Sequence, residues 1–589
     1  MLIDRDGDRV RPSTGGDGPH WIAGALALAA IAAPTFYPPN APPLTSLQSE
    51  SWALLAWGLF LTYLVSCTGA LAMHRAGGRS VALSAVLLAL ALLLASILAS
   101  VVFAGLPVAI GLRHGFVLLS AGAALLAGAA ALRSQPPHFG ASLLESVLLC
   151  LLFAGLGNAA IAVLQTVGIT GWWPPLGKDG RAIGALYQPN LLGTQLLWAF
   201  AALVALYSQR RLPRWLALVF AALLILAITL SASRTAAVSC LVLAVWGIVD
   251  KRLDRESRLA LVASPLLLVL GWAALLAVQD SGGPGFAGTE LLHKADPTSA
   301  RWGLWAQCAK LVAAHPWLGV GWGQFNFAWT LTPMPGLPRT AGYTFTHAHN
   351  LFVQWAVELG LPLTLILTSL LAFALLRCVG RLRRGHGDVP VVQRAALAMV
   401  LIVLVHSQLE SPLWWVYLLL PTAFLLGVAL PAAAPASGGH KPKTALLLVP
   451  LLMVAGASFA LWDYRAVAEI YRPSPNAPSQ ELRIQTARQS LLFGQFGDRF
   501  AGTLAPAGQR RLDVFQHIVF EMLDERLLMS WALALAENGQ IDKARFLADR
   551  LREFDSPSAR QFFAVCVAQP HRFQCQRSPA AFELADFRF

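Results

Sequence analysis

The chain has 589 residues, of which 56% are hydrophobic and only 13% are charged. A soluble globular protein usually carries about 25% charged residues, so this composition excludes an ordinary soluble enzyme, a disordered chain and a coiled coil. It predicts an all-α, polytopic integral membrane protein. In a soluble chain, the net charge of +13 would suggest nucleic acid. Here we attribute the charge to cytoplasmic loops and expect membrane lipid, not nucleic acid, as a partner.

Apolar runs bounded by charged residues predict about 12–13 membrane-spanning helices. The first run follows a basic segment and is also compatible with a secretory signal. The runs lie near residues 21–36, 51–73, 80–105, 115–132, 142–168, 190–207, 214–230, 235–249, 259–278, 349–376, 395–409, 412–430 and 444–461.

The positions of the basic residues predict the orientation of these spans. Of the 44 Lys and Arg residues, 20 fall in one set of alternating loops and 8 in the other, although the loops of the second set are longer. The positive-inside rule places the first set in the cytoplasm, together with the N-terminus. After thirteen spans, loops 169–189 and 279–348 and the C-terminal region then face outside, which is the periplasm of a bacterium. An error of one span would reverse the side of the C-terminal region.

Two exterior segments carry arginines where the positive-inside rule disfavours them. Arg181 lies in loop 169–189, and Arg234 lies in a short turn between two spans. A cation in such a position is costly unless it meets an anion, so both arginines predict an anion site. Arginines that snorkel to the membrane interface are the alternative. Gln188 and Asn190 follow at the mouth of the next span and belong to the same candidate site.

The longest loop between spans, 279–348, carries a further cation and two histidines. A helix is predicted to begin near Pro297 and to carry Arg301. The loop ends with His347 and His349, separated by one residue. Two neighbouring histidines are only a weak metal signal without a third ligand, so we expect no metal. With the exterior arginines, they predict a site that combines a base with cations.

Further polar residues border the spans next to these loops. Asn350 begins the span after the second histidine, and Glu358 follows about two helical turns later. His406 and Glu410 lie in another exterior turn, and Tyr417 lies a short distance into the following span. Ionisable groups near the hydrocarbon edge are functional candidates. For the turn with His406, a capped helix end is the alternative.

The residue types on the exterior face predict a group transfer at the membrane surface. Arginine suits phosphate and diphosphate groups, and a neutral histidine is a good general base near pH 7. Cations on a leaving diphosphate and a base on an incoming hydroxyl describe a transferase. A secondary transporter would place its polar residues near the bilayer midplane, whereas the predicted spans are almost free of charge.

Six short motifs occur in the predicted exterior segments, in a fixed order. They are RAIGALYQPN at 181–190, SASR at 231–234, SARWGLWAQ at 299–307, HPWLGVGWGQF at 315–325, THAHN at 346–350 and HSQLESPLWW at 406–415. Together they resemble the O-antigen ligase and polymerase (Wzy/WaaL) superfamily, and more closely its bacterial O-linked protein oligosaccharyltransferase branch (PglL type). The resemblance covers the whole chain. It implies an inner-membrane enzyme that transfers a glycan en bloc from undecaprenyl diphosphate to an acceptor hydroxyl, without a metal or another cofactor.

The resemblance makes His349 the essential histidine. In the ligase pattern, His-Asn is followed by a glycine after nine intervening residues, as His349 and Asn350 are followed by Gly360. Three positions later the family pattern has a small or tyrosyl residue. Leu363 stands there, which favours the protein-acceptor branch over the lipopolysaccharide ligases. We expect the base to accept the proton of a Ser or Thr hydroxyl in a single displacement, with inversion at the anomeric carbon.

The resemblance also assigns the other side chains. Arg181 and Arg234 match the arginines that bind the donor diphosphate, and Gln188 matches a functionally required glutamine of the protein-glycosylating branch. In that branch a tyrosine often follows the acid of the His-Ser-x-x-Glu motif, where this chain has Ser411. Arg301 joins the diphosphate-binding candidates. The supporting candidates for the acceptor or the glycan are Asn190, His347, Asn350, Glu358, His406, Glu410 and Tyr417.

Residues 462–589 are expected to form a separate periplasmic helical domain after the transmembrane glycosyltransferase domain at 1–461. Two helices joined at Asn538-Gly539 are predicted there, similar to one tetratricopeptide hairpin, although a single hairpin is not a repeat array. This region either helps to receive the acceptor or packs against the loops. In an oxidising periplasm, Cys566 and Cys575 are compatible with a disulfide.

Three functions remain open at the level of sequence. The leading one is an O-oligosaccharyltransferase that modifies periplasmic proteins such as pilin. The second retains the chemistry but transfers to lipid A core, as a ligase, or to further repeat units, as a polymerase. The third is a lipid-linked glycan transporter or a membrane scaffold. The sequence alone does not identify the glycan, the acceptor or the oligomeric state.

Overall fold

The computed structural model describes residues 20–37, 42–68, 80–131, 137–169, 171–281, 297–334, 344–384, 389–430 and 447–588. Within these ranges the regular structure is entirely helical and contains no strand. The predicted all-α class is therefore confirmed. Parts of loop 279–348, at 282–296 and 335–343, and the end of the predicted span 51–73 lie outside the described residues.

Nine α-helices precede the long loop. They are α1 (His20–Ile31), α2 (Leu47–Thr68), α3 (Val81–Phe103), α4 (Val108–Ala131), α5 (Pro137–Thr166), α6 (Pro189–Ser208), α7 (Arg214–Leu230), α8 (Arg234–Val249) and α9 (Arg255–Asp280).

Twelve further α-helices follow in the described part of the chain. They are α10 (Pro297–Ala314), α11 (Phe325–Leu331), α12 (Leu351–Arg384), α13 (Val391–His406), α14 (Val416–Ala429), α15 (Leu448–Tyr471), α16 (Gln480–Arg488), α17 (Gly494–Leu504), α18 (Phe515–Ile518), α19 (Glu525–Glu537), α20 (Ile541–Phe554) and α21 (Pro557–Phe563).

Each of the thirteen predicted apolar runs coincides with one of the helices α1–α9 and α12–α15. Among the described residues, seven helices are long and apolar enough to cross a membrane by length and composition: α3, α4, α5, α6, α9, α12 and α15. Four of the others, α7, α8, α13 and α14, are shorter apolar helices. The polytopic architecture is confirmed, whereas the exact number of spans remains a prediction.

Helix α6 lies at the centre of the bundle. Every side chain from Asn190 to Leu206 is buried, and the helix packs against α5, α7, α8 and α13. Small residues permit the close helix contacts elsewhere in the bundle, as is usual between membrane helices. In the α4–α14 pair, a Cβ atom added to Gly128 would lie 1.9 Å from the carbonyl oxygen of Phe424.

The C-terminal region and the long loop share one hydrophobic core. Trp329 of α11, Trp531 of α19 and Leu547 of α20 belong to the same buried cluster. The backbone N–H of Leu523 donates to Oδ1 of Asn326 at 2.6 Å, which joins the two segments directly. The C-terminal region therefore packs against the loop.

The expected domain boundary at residues 461 and 462 lies inside α15, which continues without a break to Tyr471. Further along the chain, α19 and α20 form a hairpin whose turn contains Asn538 and Gly539, where the sequence predicts it. Cys566 and Cys575 are joined by a disulfide, with their Cα atoms 5.4 Å apart.

A glycine-dependent contact fixes the loop against the beginning of α12. Gly360 interrupts this helix with a φ of 77°, and the N–H of Leu361 donates to the carbonyl oxygen of Pro316 at 2.8 Å. A Cβ atom at Gly360 would lie 2.4 Å from the carbonyl oxygen of Trp317. On the loop side of the contact, Gly319 has a φ of +67°, and a Cβ atom there would lie 2.4 Å from the carbonyl carbon of Glu358. Both positions therefore require glycine.

We expect the substitution Gly360→Ala to destabilise the protein by more than about 2 kcal/mol. A left-handed backbone costs a non-glycine residue roughly 1–2 kcal/mol, and the new Cβ atom would also collide with the loop. The apparent Tm of the purified protein in detergent measures this effect. Gly380→Ala is the matched control, because Gly380 lies in the same helix with no atom within 4 Å of a Cβ atom there. An unchanged Tm in both variants would contradict the prediction.

Candidate active site

The ends of several helices meet at one face of the bundle, the face that the sequence predicts to be exterior. Gln188 caps α6 and Ser233 caps α8, and each accepts a hydrogen bond from a backbone N–H in the first turn of its helix. Asn350 caps α12 in the same way. Its amide also donates to the carbonyl oxygen of Gln408 at 3.2 Å, beyond the end of α13. The N-terminus of a helix carries a partial positive charge, so this arrangement favours an anion.

The carboxylate of Glu410 connects most of these elements. It accepts hydrogen bonds from Nε2 of Gln188 and from Nδ2 of Asn190, each at 2.8 Å. The guanidinium of Arg301 on α10 lies 3.6 Å from Oε1, and Nε2 of His406 lies 4.0 Å from Oε2. One acid thus joins α6, α10 and α13.

A pair of arginines lies beside this network. The side chain of Arg181 donates from Nε to the carbonyl oxygen of Ser231 at 2.9 Å, and from its terminal nitrogens to Asn190 at 3.2 Å and to Asp179 at 3.4 Å. Arg234, in the first turn of α8, is exposed, and its charge acts on Arg181. The two arginines therefore form a cationic surface around the N-termini of α6 and α8.

His349 lies in the wall of an open pocket. It adopts a left-handed backbone conformation with a φ of 53°, which is uncommon for a non-glycine residue. Its ring centroid is 4.2 Å from that of His347, which in turn contacts Trp414 edge to face at 4.7 Å. The pocket is lined by His347, His349, Asn350, Leu351, Gln354, Ser407, Glu410, Ser411, Leu413 and Trp414.

The electrostatic environment keeps both histidines of this pocket neutral at pH 7. Burial lowers the pKa of His349 below 6.5; Glu410 opposes this shift and Arg301 adds to it. Burial, together with His349, lowers the pKa of His347 to about 3. Burial would raise the pKa of Glu410, but His406, His349 and Asn190 outweigh it and lower that pKa to about 2. The site thus contains neutral imidazoles beside an ionised carboxylate.

The structure brings most of the residues predicted from sequence to this face. The arginines and the acid form the network, and the two histidines line the pocket. The predicted residues found at this face are Arg181, Gln188, Asn190, Arg234, Arg301, His347, His349, Asn350 and Glu410. His406 lies behind them, fully buried, with Nδ1 at 2.7 Å from Oγ1 of Thr194.

Two predicted site residues lie elsewhere. Glu358 accepts a hydrogen bond from the backbone N–H of Phe325 at 3.2 Å, so its carboxylate supports the long loop from the side. Tyr417 is buried in the bundle core, with its ring centroid 5.8 Å from that of Trp415. Neither residue lines the pocket of His349.

Sequence reasoning missed three contributors to the site. Thr194 lies four residues after Asn190 on the same face of α6, a spacing that would have indicated it. The cap Ser233, whose Oγ donates to Oδ1 of Asn190 at 2.6 Å, lies next to Arg234. Trp414 belongs to the last motif, but its position in the pocket depends on the folding of the turn around it.

Comparison with known families agrees with this geometry. The family described as "O-Antigen ligase" matches residues 218–368. A second family, "Virulence factor membrane-bound polymerase, C-terminal", matches residues 394–565. The two matches include α8, the long loop with His349, and the turn with Glu410. The chain is therefore similar to O-antigen ligases over residues 218–368.

Two curated relatives are similar to this chain over long stretches. The "General O-oligosaccharyltransferase" of Acinetobacter baylyi is 24% identical over 422 residues, which cover 69% of this chain and 70% of the relative. The "ComP-specific O-oligosaccharyltransferase" of the same organism is 25% identical over 254 residues, which cover 42% of this chain and 44% of the relative. The resemblance that the sequence motifs indicate is confirmed.

We expect Glu410→Gln to remove a pH-dependent part of the stability of this ligase-like protein. Because the pKa of Glu410 falls from 4.5 to about 2, the carboxylate stabilises the fold above pH 4.5, and this contribution is lost as the pH falls towards 2. At neutral pH the free energy of unfolding of the wild type should exceed that of the variant by about 3 kcal/mol at most. The apparent Tm of both proteins between pH 7 and pH 3 measures the difference.

Asp179→Asn is the control, because Asp179 is a more exposed acid on the same face. Its difference from the wild type should be small at every pH. If Glu410→Gln and the wild type lose Tm in parallel from pH 7 to pH 3, the carboxylate does not have the role assigned to it.

Proposed function

We propose that this protein is an O-oligosaccharyltransferase that transfers a glycan en bloc from a lipid diphosphate to Ser or Thr hydroxyls of proteins. The observation that carries the proposal is the neutral His349, which lies in the same pocket as Glu410, next to the arginine surface. A base and a cationic anion site side by side are what such a transfer requires. The printed names of the two relatives support the same reaction class.

In the proposed mechanism His349 is the general base. Because its Nδ1 is buried, we assign to Nε2 the role of accepting the proton of the acceptor hydroxyl. The hydroxyl oxygen forms a bond to the anomeric carbon as the bond from that carbon to the diphosphate oxygen breaks. The electron pair of this bond leaves with the diphosphate, and the configuration at the carbon is inverted.

Arg181 and Arg234 hold the departing diphosphate, and Arg301 joins them. Arg301 is paired loosely with Glu410, at 3.6 Å, and its side chain is one-third exposed, so it is free to turn towards an incoming phosphate. A diphosphate is a good leaving group, and positioning with charge stabilisation supplies much of the rate enhancement without a metal. Gln188 and Asn190 position the carboxylate of Glu410, and these cations act next to it.

The proposed setting is the bacterial inner membrane, with undecaprenyl diphosphate as the glycan carrier and a pilin-like protein as the acceptor. The charge distribution of the sequence supports a cytoplasmic N-terminus and a periplasmic site. The C-terminal region packs on the loop that carries the site, so we assign both to the periplasm. Residues 1–461 then form the transferase domain, and 462–589 form its helical periplasmic extension.

A second candidate function is repeat-unit polymerisation. The match of residues 394–565 to the membrane-bound polymerase family favours it specifically. The same base and cations would then act on a sugar hydroxyl instead of a Ser or Thr hydroxyl. Transfer to lipid A core, as in the ligases, differs only in the acceptor.

We expect His349→Ala to abolish transfer while the protein remains inserted in the membrane, because the acceptor hydroxyl loses its base. The experiment uses a ligase-deleted bacterium that makes a lipid-linked oligosaccharide and co-expresses a pilin with either form of the protein. Mass spectrometry of the pilin should show a glycan-sized increase on a Ser or Thr residue with the wild type only. His315→Ala, at the end of α10 and outside the pocket, is the control and should retain transfer.

Each outcome of this experiment separates the candidate functions. Unmodified pilin with glycan on lipid A core would support the ligase reaction, and longer glycans on the carrier would support the polymerase. If a well-inserted wild-type protein yields no product on pilin, on lipid A core or on the lipid carrier, the proposal is contradicted.

We expect Arg234→Gln to reduce kcat/KM for the lipid-linked donor by about 10- to 100-fold, as is usual for the loss of one hydrogen bond to a charged group. Arg255→Gln is the matched control, since Arg255 is an exposed arginine at the start of α9, at the opposite end of the bundle. Initial rates at varied donor concentration measure both variants. Equal rates for the two variants would remove Arg234 from the diphosphate site.

A further inference from the structure

Trp414 is a large aromatic side chain that the proposed mechanism does not use. It lines the pocket of His349, and 49% of its surface is exposed. It closes the short 3₁₀ turn Pro412–Trp414, which follows Glu410 almost directly. An exposed tryptophan in the wall of a polar pocket is a contact surface for a ligand, because its apolar face gains by burial.

The position of the ring is fixed before any ligand arrives. The N–H of Trp414 donates to the carbonyl oxygen of Ser411 at 3.1 Å, and the N–H of Trp415 donates to that of Pro412 at 3.2 Å. The indole meets His347 edge to face, at an interplanar angle of 62°. A rigid ring loses little entropy on binding, so the platform is preorganised.

The position of His349 in the wall of the pocket determines which part of the donor lies beside Trp414. The base must lie within about 3 Å of the acceptor hydroxyl, which itself attacks the anomeric carbon. The sugar beside His349 is thus the one attached to the diphosphate.

We propose that Trp414 supports this first sugar of the donor through its indole face and thereby determines which donors the enzyme accepts. The inference rests on the proposed function. The apolar C–H face of a pyranose ring packs on the indole, while Gln354 and Ser411, which also line the pocket, lie at the polar edge of the ring. The cations bind the diphosphate, and Trp414 recognises the glycan.

The experiment measures binding, so that it does not depend on turnover. The Kd of the full-length protein is determined for polyprenyl diphosphate alone and for polyprenyl diphosphate that carries a single N-acetylglucosamine. A parallel series with a single glucose tests the breadth of recognition. The variants are Trp414→Ala, Trp414→Phe and Trp317→Ala; Trp317 is a 75% exposed tryptophan that does not line the pocket.

We expect the wild type, Trp414→Phe and Trp317→Ala to bind the sugar-bearing lipid more tightly than the bare lipid. Trp414→Ala should lose this gain, with a Kd for the sugar-bearing lipid raised roughly tenfold, or about 1.4 kcal/mol, and an unchanged Kd for the bare lipid. A merely structural tryptophan would alter both Kd values together or neither, and either result would overturn the inference. Failure of the wild type to bind either lipid would instead overturn the proposed function, and the inference with it.

Discussion

The site depends on one partly buried carboxylate that lies between helix ends. Glu410 lies in the turn after α13 and accepts hydrogen bonds from Gln188 and Asn190 at the start of α6, with Arg301 and His406 close by. A buried acid is stable only when it is paired and hydrogen-bonded. Here the hydrogen bonds of the carboxylate join segments that are separated by more than 200 residues in sequence. The cationic surface and His349 are arranged around this centre.

The position of His349, the proposed base, depends on a second constraint, the close packing of the long loop on α12. Gly319 and Gly360 permit two backbones to approach where a Cβ atom would collide. The short first segment of α12 lies between this contact and Asn350, so the loop and the helix hold His349 from both sides. The C-terminal region adds its own core to the outer face of the loop. The geometry around His349 thus rests on rigid packing around a loop instead of on the apolar helices alone.

The agreement between sequence and structure is greatest for the spans. All thirteen apolar runs coincide with helices, because hydrophobic length and the satisfaction of backbone hydrogen bonds within lipid leave helix as the solution for such a segment. The domain boundary expected at residue 461 has a different basis. It follows the change in composition, whereas α15 continues to Tyr471, since a helix does not end where hydropathy falls but where its backbone is capped or interrupted.

By itself, the sequence determined the class of the protein, the helices of the bundle and the residue types of the exterior motifs. Those properties are local: apolar length, charge bias and short motifs. Only the tertiary structure decided which motif residues share a site. It placed Glu410 at the centre and Trp414 in the pocket, and it directed Glu358 towards the loop and Tyr417 into the core. The physical reason is that side-chain direction at a helix end or a kink depends on how neighbouring elements pack, and no linear spacing encodes that packing.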